Sequence, residues 1–297
     1  STQGYSSAAS DVYKRQMERR CCSSGAKSEK KSFPRILPEN LLSMSKNTFN
    51  QINLRLKTLY DMIPECARMG DVGTDHGYLP IYCIQTGKCG SAVASDLREG
   101  PLQTARNNIA AYGLEDRIET LLCSGLDGYR DRACDVIVIA GMGGFTIRKI
   151  LADWLASREN DKDFPGNPLF LLQPNTAEPE LRQFLWEHSF SIEEERAVKD
   201  GLHVYVGILG RFTGEPQPYT ETECYTGKIM CGRLKESDRI YYEALYRKYS
   251  NVLAGLAQKR QPGRAYTEKT DAYERLLKEL DRIIKSGGSD CEGKRYY

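Results

Sequence analysis

The segment Asp71-Val-Gly-Thr-Asp-His-Gly-Tyr-Leu-Pro80 constrains what this chain can fold into more than any other part of it. Apolar residues before it can form a strand, its two glycines permit a tight turn, and a helix can begin near Tyr78. A second apolar run ends in Asp96, nineteen residues after Gly77. In nucleotide-binding βαβ units an acid at that place binds the ribose hydroxyls. The segment therefore predicts a cofactor site, although a strand–turn–helix connection that binds nothing has the same pattern over so short a stretch.

The charge of this loop distinguishes between cofactors. The loop reads Gly-Thr-Asp-His-Gly rather than Gly-x-Gly-x-x-Gly, and Asp75 would repel a pyrophosphate at close range. S-adenosylmethionine combines an adenosine, which suits Asp96, with a zwitterionic tail and a sulfonium cation, which tolerate Asp75. The pattern therefore favours S-adenosylmethionine over NAD.

The composition argues against a membrane protein and against a structural metal site. The hydrophobic fraction is 40%, and no apolar run approaches the roughly 20 residues that cross a bilayer. The first 45 residues contain no apolar stretch of the secretory kind. No Cys-x-x-Cys pair occurs among the ten cysteines, and the three histidines are not grouped with them. These features predict a cytoplasmic protein with reduced cysteines, no metal and no membrane partner.

The apolar pattern divides the chain into regions. Residues 1–45 are rich in Ser, Lys, Arg and Glu and are predicted to be a disordered tail, with a basic RNA-binding arm as the less favoured alternative. Residues 46–214 are predicted to be the cofactor-binding domain, beginning with a helix that Pro64 ends. The expected strands then cover residues 67–72, 91–96, 118–123, 135–140 and 169–173, and the expected helices lie near 78–87, 99–112, 144–157 and 177–188.

This alternation predicts an α/β fold in which right-handed crossovers build a parallel sheet with helices on both faces. Two further β-rich runs, 190–197 and 203–211, flank a short turn and predict an antiparallel hairpin. Parallel strands that end in such a hairpin resemble the Rossmann-like sheet of class I SAM-dependent methyltransferases. A dinucleotide dehydrogenase would normally continue with a sixth parallel strand.

Residues 222–288 are predicted to form a coiled-coil-like α-helical hairpin. Two apolar stripes at helical spacing are separated by Gln261-Pro-Gly263, which would break a helix. Nine basic residues but only three acidic ones lie between Lys228 and Arg264, a local net charge of +6. Such a helix pair could contact the phosphates of an RNA, or it could serve only structure or dimerisation, which leaves the oligomeric state open.

Three further segments are placed at strand ends, where open α/β sheets bind ligands. Val136-Ile-Val-Ile-Ala-Gly-Met-Gly-Gly-Phe145 reads as a buried strand that ends in three glycines, although these could also serve close helix packing. Cys123-Ser-Gly-Leu126 closes the third strand, and Gln173-Pro-Asn175 closes the fifth. Asn175 could instead cap the following helix, and His76 could be an ordinary loop histidine.

Taken together, these segments are similar to those of the bacterial tRNA methyltransferases that act on N1 of adenine 22. The resemblance extends from about Leu54 to the end of the chain and rests on Thr-Asp-His-Gly, Ala-Gly-Met-Gly-Gly and Gln-Pro-Asn in that order. It implies that S-adenosylmethionine is the methyl donor, that tRNA is the substrate and that N1-methyladenine is the product.

The resemblance also implies roles for individual residues. Asp96 would bind the ribose and Ser124 the adenine, where the family usually has an acid in place of Ser124. The cofactor-binding residues so implied are Asp71, Gly73, Thr74, His76, Gly77, Asp96, Leu97, Ser124, Gly125, Ala140, Gly141 and Met142. The candidates for holding the target base are Gln173, Pro174 and Asn175, together with Asp75 and His76 of the first loop.

Three other functions remain open at this level. A methyltransferase of another substrate would share the cofactor site, and a non-catalytic RNA-binding protein could retain the fold, with Ser124 in its favour. A dehydrogenase is disfavoured by Asp75 and by the terminal hairpin.

Overall fold

The computed structural model describes residues 52–160, 166–228, 236–257 and 264–286. The predicted tail, residues 1–45, lies outside the described residues. None of the described helices combines the length and the apolar character needed to cross a bilayer.

The described residues form one seven-stranded sheet with the order β3-β2-β1-β4-β5-β7-β6. Strands β1 to β5 are parallel, whereas β7 pairs antiparallel with β5 and with β6. The predicted α/β fold with its antiparallel hairpin is thereby confirmed. The strands are Cys66–Val72 (β1), Cys89–Asp96 (β2), Ile118–Leu122 (β3), Val136–Gly143 (β4), Leu169–Thr176 (β5), Phe190–Asp200 (β6) and His203–Phe212 (β7).

The helices connect and cover these strands. The first begins after Asn53, whose side chain accepts a hydrogen bond from the Leu56 backbone, as a helix N-cap does. The helices are Leu54–Met62 (α1), Tyr78–Gln85 (α2), Glu99–Ala111 (α3), Gly144–Asn160 (α4), Glu178–Glu187 (α5), Glu221–Thr226 (α6), Glu236–Ala257 (α7) and Arg264–Ser286 (α8). Strands β4 and β5 extend further than the sequence pattern predicts: Met142 pairs with Pro174 and Gly143 with Thr176, across register shifts that leave Gly141 and Asn175 unpaired in the ladder.

The sheet is buried on both faces. On one face, Val136 and Val138 of β4 pack with residues of α1 and α2. On the other, Ile137 and Ile139 belong to a core that also contains residues of α4, α5, α7 and α8. A strand covered on both faces needs apolar residues at every position, which explains the continuous apolar run at 136–140.

The C-terminal helices share this second core layer. Tyr242 of α7 is fully buried, and its hydroxyl donates to the Thr226 carbonyl. Beneath them, Arg182 of α5 and Glu195 of β6 form an ion pair with no exposed side-chain surface, 2.7 Å between Nε and Oε1. Arg182 Nη1 also donates to the Cys224 carbonyl at 2.8 Å. This single guanidinium joins α5, the sheet and the segment that leads into the C-terminal helices.

Candidate functional site

A cavity of about 430 Å³ opens at the carboxyl ends of β1 to β4. The strand order reverses between β1 and β4, which is where open α/β sheets bind ligands. Its size falls within the range of small-molecule sites. Nine of the residues predicted from sequence line it: Gly73, Asp75, Asp96, Leu97, Ser124, Gly125, Ala140, Gly141 and Met142.

The loop after β1 is fixed to the neighbouring strand. The backbone N–H groups of Gly73 and Thr74 both donate to the Ser95 carbonyl, at 2.8 and 2.9 Å. Gly73 has a φ of +74°, and a Cβ there would come within 2.3 Å of the Met142 side chain. The positive φ, which other residues rarely adopt, makes glycine the suitable residue here, and the bare backbone lets Met142 of β4 pack against this loop.

Gly77 and His76 lie outside the cavity lining. Gly77 precedes α2 with a φ of +72°, a conformation that favours glycine, whereas a Cβ there would make only an ordinary contact with Ala105 of α3. The ring of His76 stacks on Tyr78 at 5.3 Å, and its Nε2 lies 3.5 Å from Oδ2 of Asp75. Asp75 itself lines the cavity.

Asp71 and Thr74 form a buried pair behind the loop rather than part of the cavity wall. Thr74 Oγ1 donates to Asp71 Oδ2 at 2.6 Å. Burial raises the pKa of the Asp71 carboxyl to about 6, and the nearby charge of Asp96 acts in the same direction. The hydrogen bond from Thr74 offsets part of this rise.

The raised pKa of Asp71 predicts a pH-dependent stability. Between the ordinary value of 3.8 and about 6 the folded protein holds a proton that the unfolded chain releases, so stability falls as the pH rises through this window. We expect Asp71→Asn to abolish this loss. Relative to the unsubstituted protein, its unfolding free energy should therefore gain roughly 1–3 kcal/mol as the pH rises from about 4 to about 7. Urea unfolding at several pH values measures it. Asp75→Asn, at an exposed acid of the same loop, is the control, and parallel curves for Asp71→Asn and the unsubstituted protein would contradict the assignment.

Asp96 ends β2 and is nearly buried, with its carboxylate on the cavity. Its Oδ1 accepts a hydrogen bond from the backbone N–H of Arg98 at 2.8 Å, which fixes the orientation of the carboxylate. A buried, oriented acceptor at a strand end is suited to a ligand diol.

The cavity continues along one face of α4, which the sequence analysis did not identify. Gly125, with a φ of +51°, packs against Ile150 so closely that a Cβ would lie 3.2 Å from it. The lining residues of α4 recur at helical spacing, a signal present in the sequence: Thr146, Lys149, Ile150, Asp153, Trp154 and Ser157.

Gln173, Pro174 and Asn175 lie beside the cavity rather than in its lining. Gln173 and Pro174 are buried, whereas Asn175 is exposed and donates through Nδ2 to the Gly141 carbonyl at 2.7 Å. The alternative that Asn175 caps α5 is wrong, because Ala177 occupies the N-cap position without a side-chain hydrogen bond. At Gly144 the structure favours the alternative that the glycine serves close packing, because a Cβ there would come within 2.5 Å of the Ala177 carbonyl.

Arg55 of α1 contacts a predicted site residue from outside the cavity, and sequence reasoning missed it. Its Nη1 donates to Gln173 Oε1 at 3.2 Å, across 118 positions of sequence. No short motif contains it, so only the packing of α1 against the strand ends reveals it. Among the described residues, no group of three or more His, Cys, Asp or Glu side chains could hold a metal ion.

Comparison with known proteins agrees with this geometry. Residues 52–208 match a family model described as a methyltransferase domain. The tRNA (adenine(22)-N(1))-methyltransferase of Bacillus subtilis (strain 168) is 33% identical over 181 residues, which are 61% of this chain and 73% of that protein.

Two solved structures that are similar to this chain contain the methyl donor or its product. M. capricolum TrmK, in complex with the cofactor product S-adenosyl-homocysteine, is 27% identical with a TM-score of 0.67, over 78% of this chain and 99% of that one. Streptococcus pneumoniae Sp1610, in complex with S-adenosyl-L-methionine, is 25% identical with a TM-score of 0.65 over the same shares of the two chains.

Proposed function

The chain belongs to the tRNA (adenine(22)-N(1))-methyltransferase family, and on that premise we propose that it transfers the methyl group of S-adenosyl-L-methionine to N1 of adenine 22 in tRNA. The observation that carries the proposal is the cavity at the β1–β4 strand ends, where the predicted glycines and Asp96 meet. The cofactor supplies an electrophilic methyl group on a sulfonium.

The residues of the cavity fit this cofactor. Gly73 and Gly125 leave bare backbone at two places where a side chain would collide with Met142 or Ile150. Asp96 would hold the ribose, and Leu97 and Ile150 offer apolar surface for the adenine. Ser124 would accept a hydrogen bond from the adenine amino group, more weakly than an acid does.

The remaining predicted residues support the methionine end and the target base. Gly141 and Met142 line the cavity beside Gly73, so we assign the reacting end of the site to this wall. The exposed carboxylate of Asp75 would stabilise the positive charge that the adenine gains on methylation. Asp71, Thr74 and Gly77 would act indirectly, by holding the loop in place.

Methyl transfer to N1 needs no general base, because this nitrogen carries a lone pair and no proton. The protein therefore acts by positioning and by electrostatics, which can supply up to about 7–11 kcal/mol in favourable cases. The target base must be unstacked first, at a cost of a few kcal/mol. Asn175 lies beside Gly141, where it can hold the extruded base, and the buried Gln173 donates to Asn175 Oδ1.

The C-terminal helices would contact the tRNA backbone. Of the nine basic residues counted between 228 and 264, four have described side chains: Lys228, Arg239, Arg247 and Lys248. Arg247 lines a shallow groove between α7 and α8, and Lys248 lies over the ring of Tyr249. Neither cation pairs with a carboxylate among the described residues, so both are available to phosphates.

The test is methyl transfer from labelled S-adenosyl-L-methionine to a tRNA transcript, followed by nucleoside analysis. We expect N1-methyladenosine at position 22 and none in a transcript with another base there. Arg247→Glu with Lys248→Glu should raise KM for tRNA and leave cofactor affinity unchanged. Lys88→Glu with Arg117→Glu, immediately before β2 and β3 at the opposite edge of the sheet, makes the same change in net charge and is the control. Cofactor binding without transfer to any RNA would favour the non-catalytic alternative, and transfer only to another substrate would favour the other methyltransferases.

A further inference from the structure

Four polar groups form a hydrogen-bonded chain beside the cavity, from α1 across the end of β5 to β4. Arg55 Nη1 donates to Gln173 Oε1 at 3.2 Å, and Gln173 Nε2 donates to Asn175 Oδ1 at 3.2 Å. Asn175 Nδ2 then donates to the Gly141 carbonyl at 2.7 Å. Gly141 lines the cavity, so the chain ends at its wall.

The two ends of the chain fix the orientation of both amides. A guanidinium can only donate hydrogen bonds and a backbone carbonyl can only accept them. Gln173 must therefore turn its oxygen to Arg55, and Asn175 must turn its nitrogen to Gly141. The second hydrogen of Gln173 Nε2 is taken by the Pro174 carbonyl at 2.8 Å, so this buried amide has no freedom to rotate.

Asn175 is the exposed member of the chain, and its Oδ1 retains an acceptor site. An amide oxygen carries two lone pairs, and Gln173 occupies one of them. Adenine presents an amino group next to N1, whereas guanine presents an oxygen there and a proton on N1. An acceptor in this place suits adenine and leaves its N1 lone pair free.

We propose that Arg55 is a positioning residue for target recognition: through Gln173 it holds Asn175 Oδ1 as the acceptor for the exocyclic amino group of the adenine to be methylated. The inference rests on the proposed function and adds a specificity determinant to it. Loss of the guanidinium leaves Gln173 Oε1 buried without its donor, which favours a displaced Gln173 side chain. Asn175 Oδ1 then loses the Nε2 donor that holds it in place. The site loses its preference for an amino group before it loses its cofactor.

The other contacts of Arg55 do not account for it as a structural ion pair. Its guanidinium carbon lies 5.3 Å from the centre of the Tyr205 ring, and no carboxylate of the described residues pairs with it. Lys57, on the same helix, pairs with Asp61 in the ordinary i,i+4 manner. Lys57→Met is therefore the matched control for Arg55→Met.

The experiment compares two tRNA transcripts, one with adenine at the target position and one with purine, which lacks the amino group. The quantity measured is kcat/KM for the adenine transcript divided by kcat/KM for the purine transcript. The intrinsic difference in N1 nucleophilicity between the two bases is the same for every variant, so it cancels when variants are compared. We expect Arg55→Met to lower kcat/KM for adenine about 10-fold to 100-fold and to reduce the adenine-to-purine ratio about tenfold. Arg55→Lys should restore part of both, and Lys57→Met should change neither.

Two further readouts separate the possible failures. The affinity for S-adenosyl-homocysteine should stay within about twofold in Arg55→Met, because Arg55 does not line the cavity. The side-chain amide resonances of Gln173 and Asn175 should shift together in Arg55→Met and not in Lys57→Met. An unchanged adenine-to-purine ratio, or unchanged amide resonances, would overturn the role of Arg55. Absence of transfer by the unsubstituted protein would overturn the proposed function instead.

Discussion

Asp96→Ala should lower the affinity for S-adenosyl-L-methionine by roughly 100-fold or more while leaving thermal unfolding nearly unchanged. The carboxylate would accept two hydrogen bonds from the ribose, each worth about 1.5–3 kcal/mol because the acceptor is charged. The group is nearly buried on the cavity wall and already oriented by the Arg98 backbone, so little of this is lost to reorganisation. Isothermal titration calorimetry with the cofactor and with S-adenosyl-homocysteine measures the loss.

Asp153→Ala is the control for this substitution. Asp153 lines the same cavity but is exposed and paired with Lys149 of the preceding helical turn. Its removal should change cofactor affinity by about twofold or less. An Asp96→Ala protein that binds the cofactor normally would show that the ribose lies elsewhere, and the site assignment would fail with it.

Arg182→Met should lower the free energy of unfolding by about 3–5 kcal/mol, the largest stability change we expect in this protein. The substitution leaves the carboxylate of Glu195 buried without its guanidinium partner and removes the donor to the Cys224 carbonyl. Glu195→Leu should cost a similar amount for the complementary reason. The double variant should lose less than the sum, because replacing both charges leaves neither one unpaired.

Urea denaturation of the full chain provides these values, and Arg239→Met provides the control. Arg239 pairs with Glu243 on the exposed face of α7, so its loss should cost about 0.5 kcal/mol or less. Equal losses for Arg182→Met and Arg239→Met would show that the buried pair does not fix the C-terminal helices to the sheet.

The sequence was sufficient for the features that depend on neighbouring residues. The glycine turn after β1 and the acid that ends β2 follow from local backbone requirements, and parallel strands bring their carboxyl ends to one edge. Nine of the predicted site residues therefore line one cavity. The cavity-lining face of α4 was missed although its residues recur at helical spacing, because the sequence of a helix alone does not show which of its faces contacts a ligand.

The features that were missed depend on contacts between distant positions. Arg55 reaches Gln173 across 118 residues, and Arg182 reaches Glu195 and the Cys224 carbonyl on separate elements. Such contacts leave no periodic pattern in either segment. For the same reason the sequence could not separate residues on the cavity wall, such as Asp75, from those directly behind it, such as Asp71 and Thr74.

The buried arginine beneath the C-terminal helices has a consequence for how enzymes of this shape can diversify. The inner surfaces of α7 and α8 complete the core on one face of the sheet. These helices therefore cannot be exchanged as a unit without unfolding the cofactor-binding domain. If α7 and α8 contact the tRNA as proposed, new RNA preferences would arise from single changes on their outward face, where substitutions cost little stability. The cofactor-binding domain and the C-terminal helices would therefore evolve as one unit.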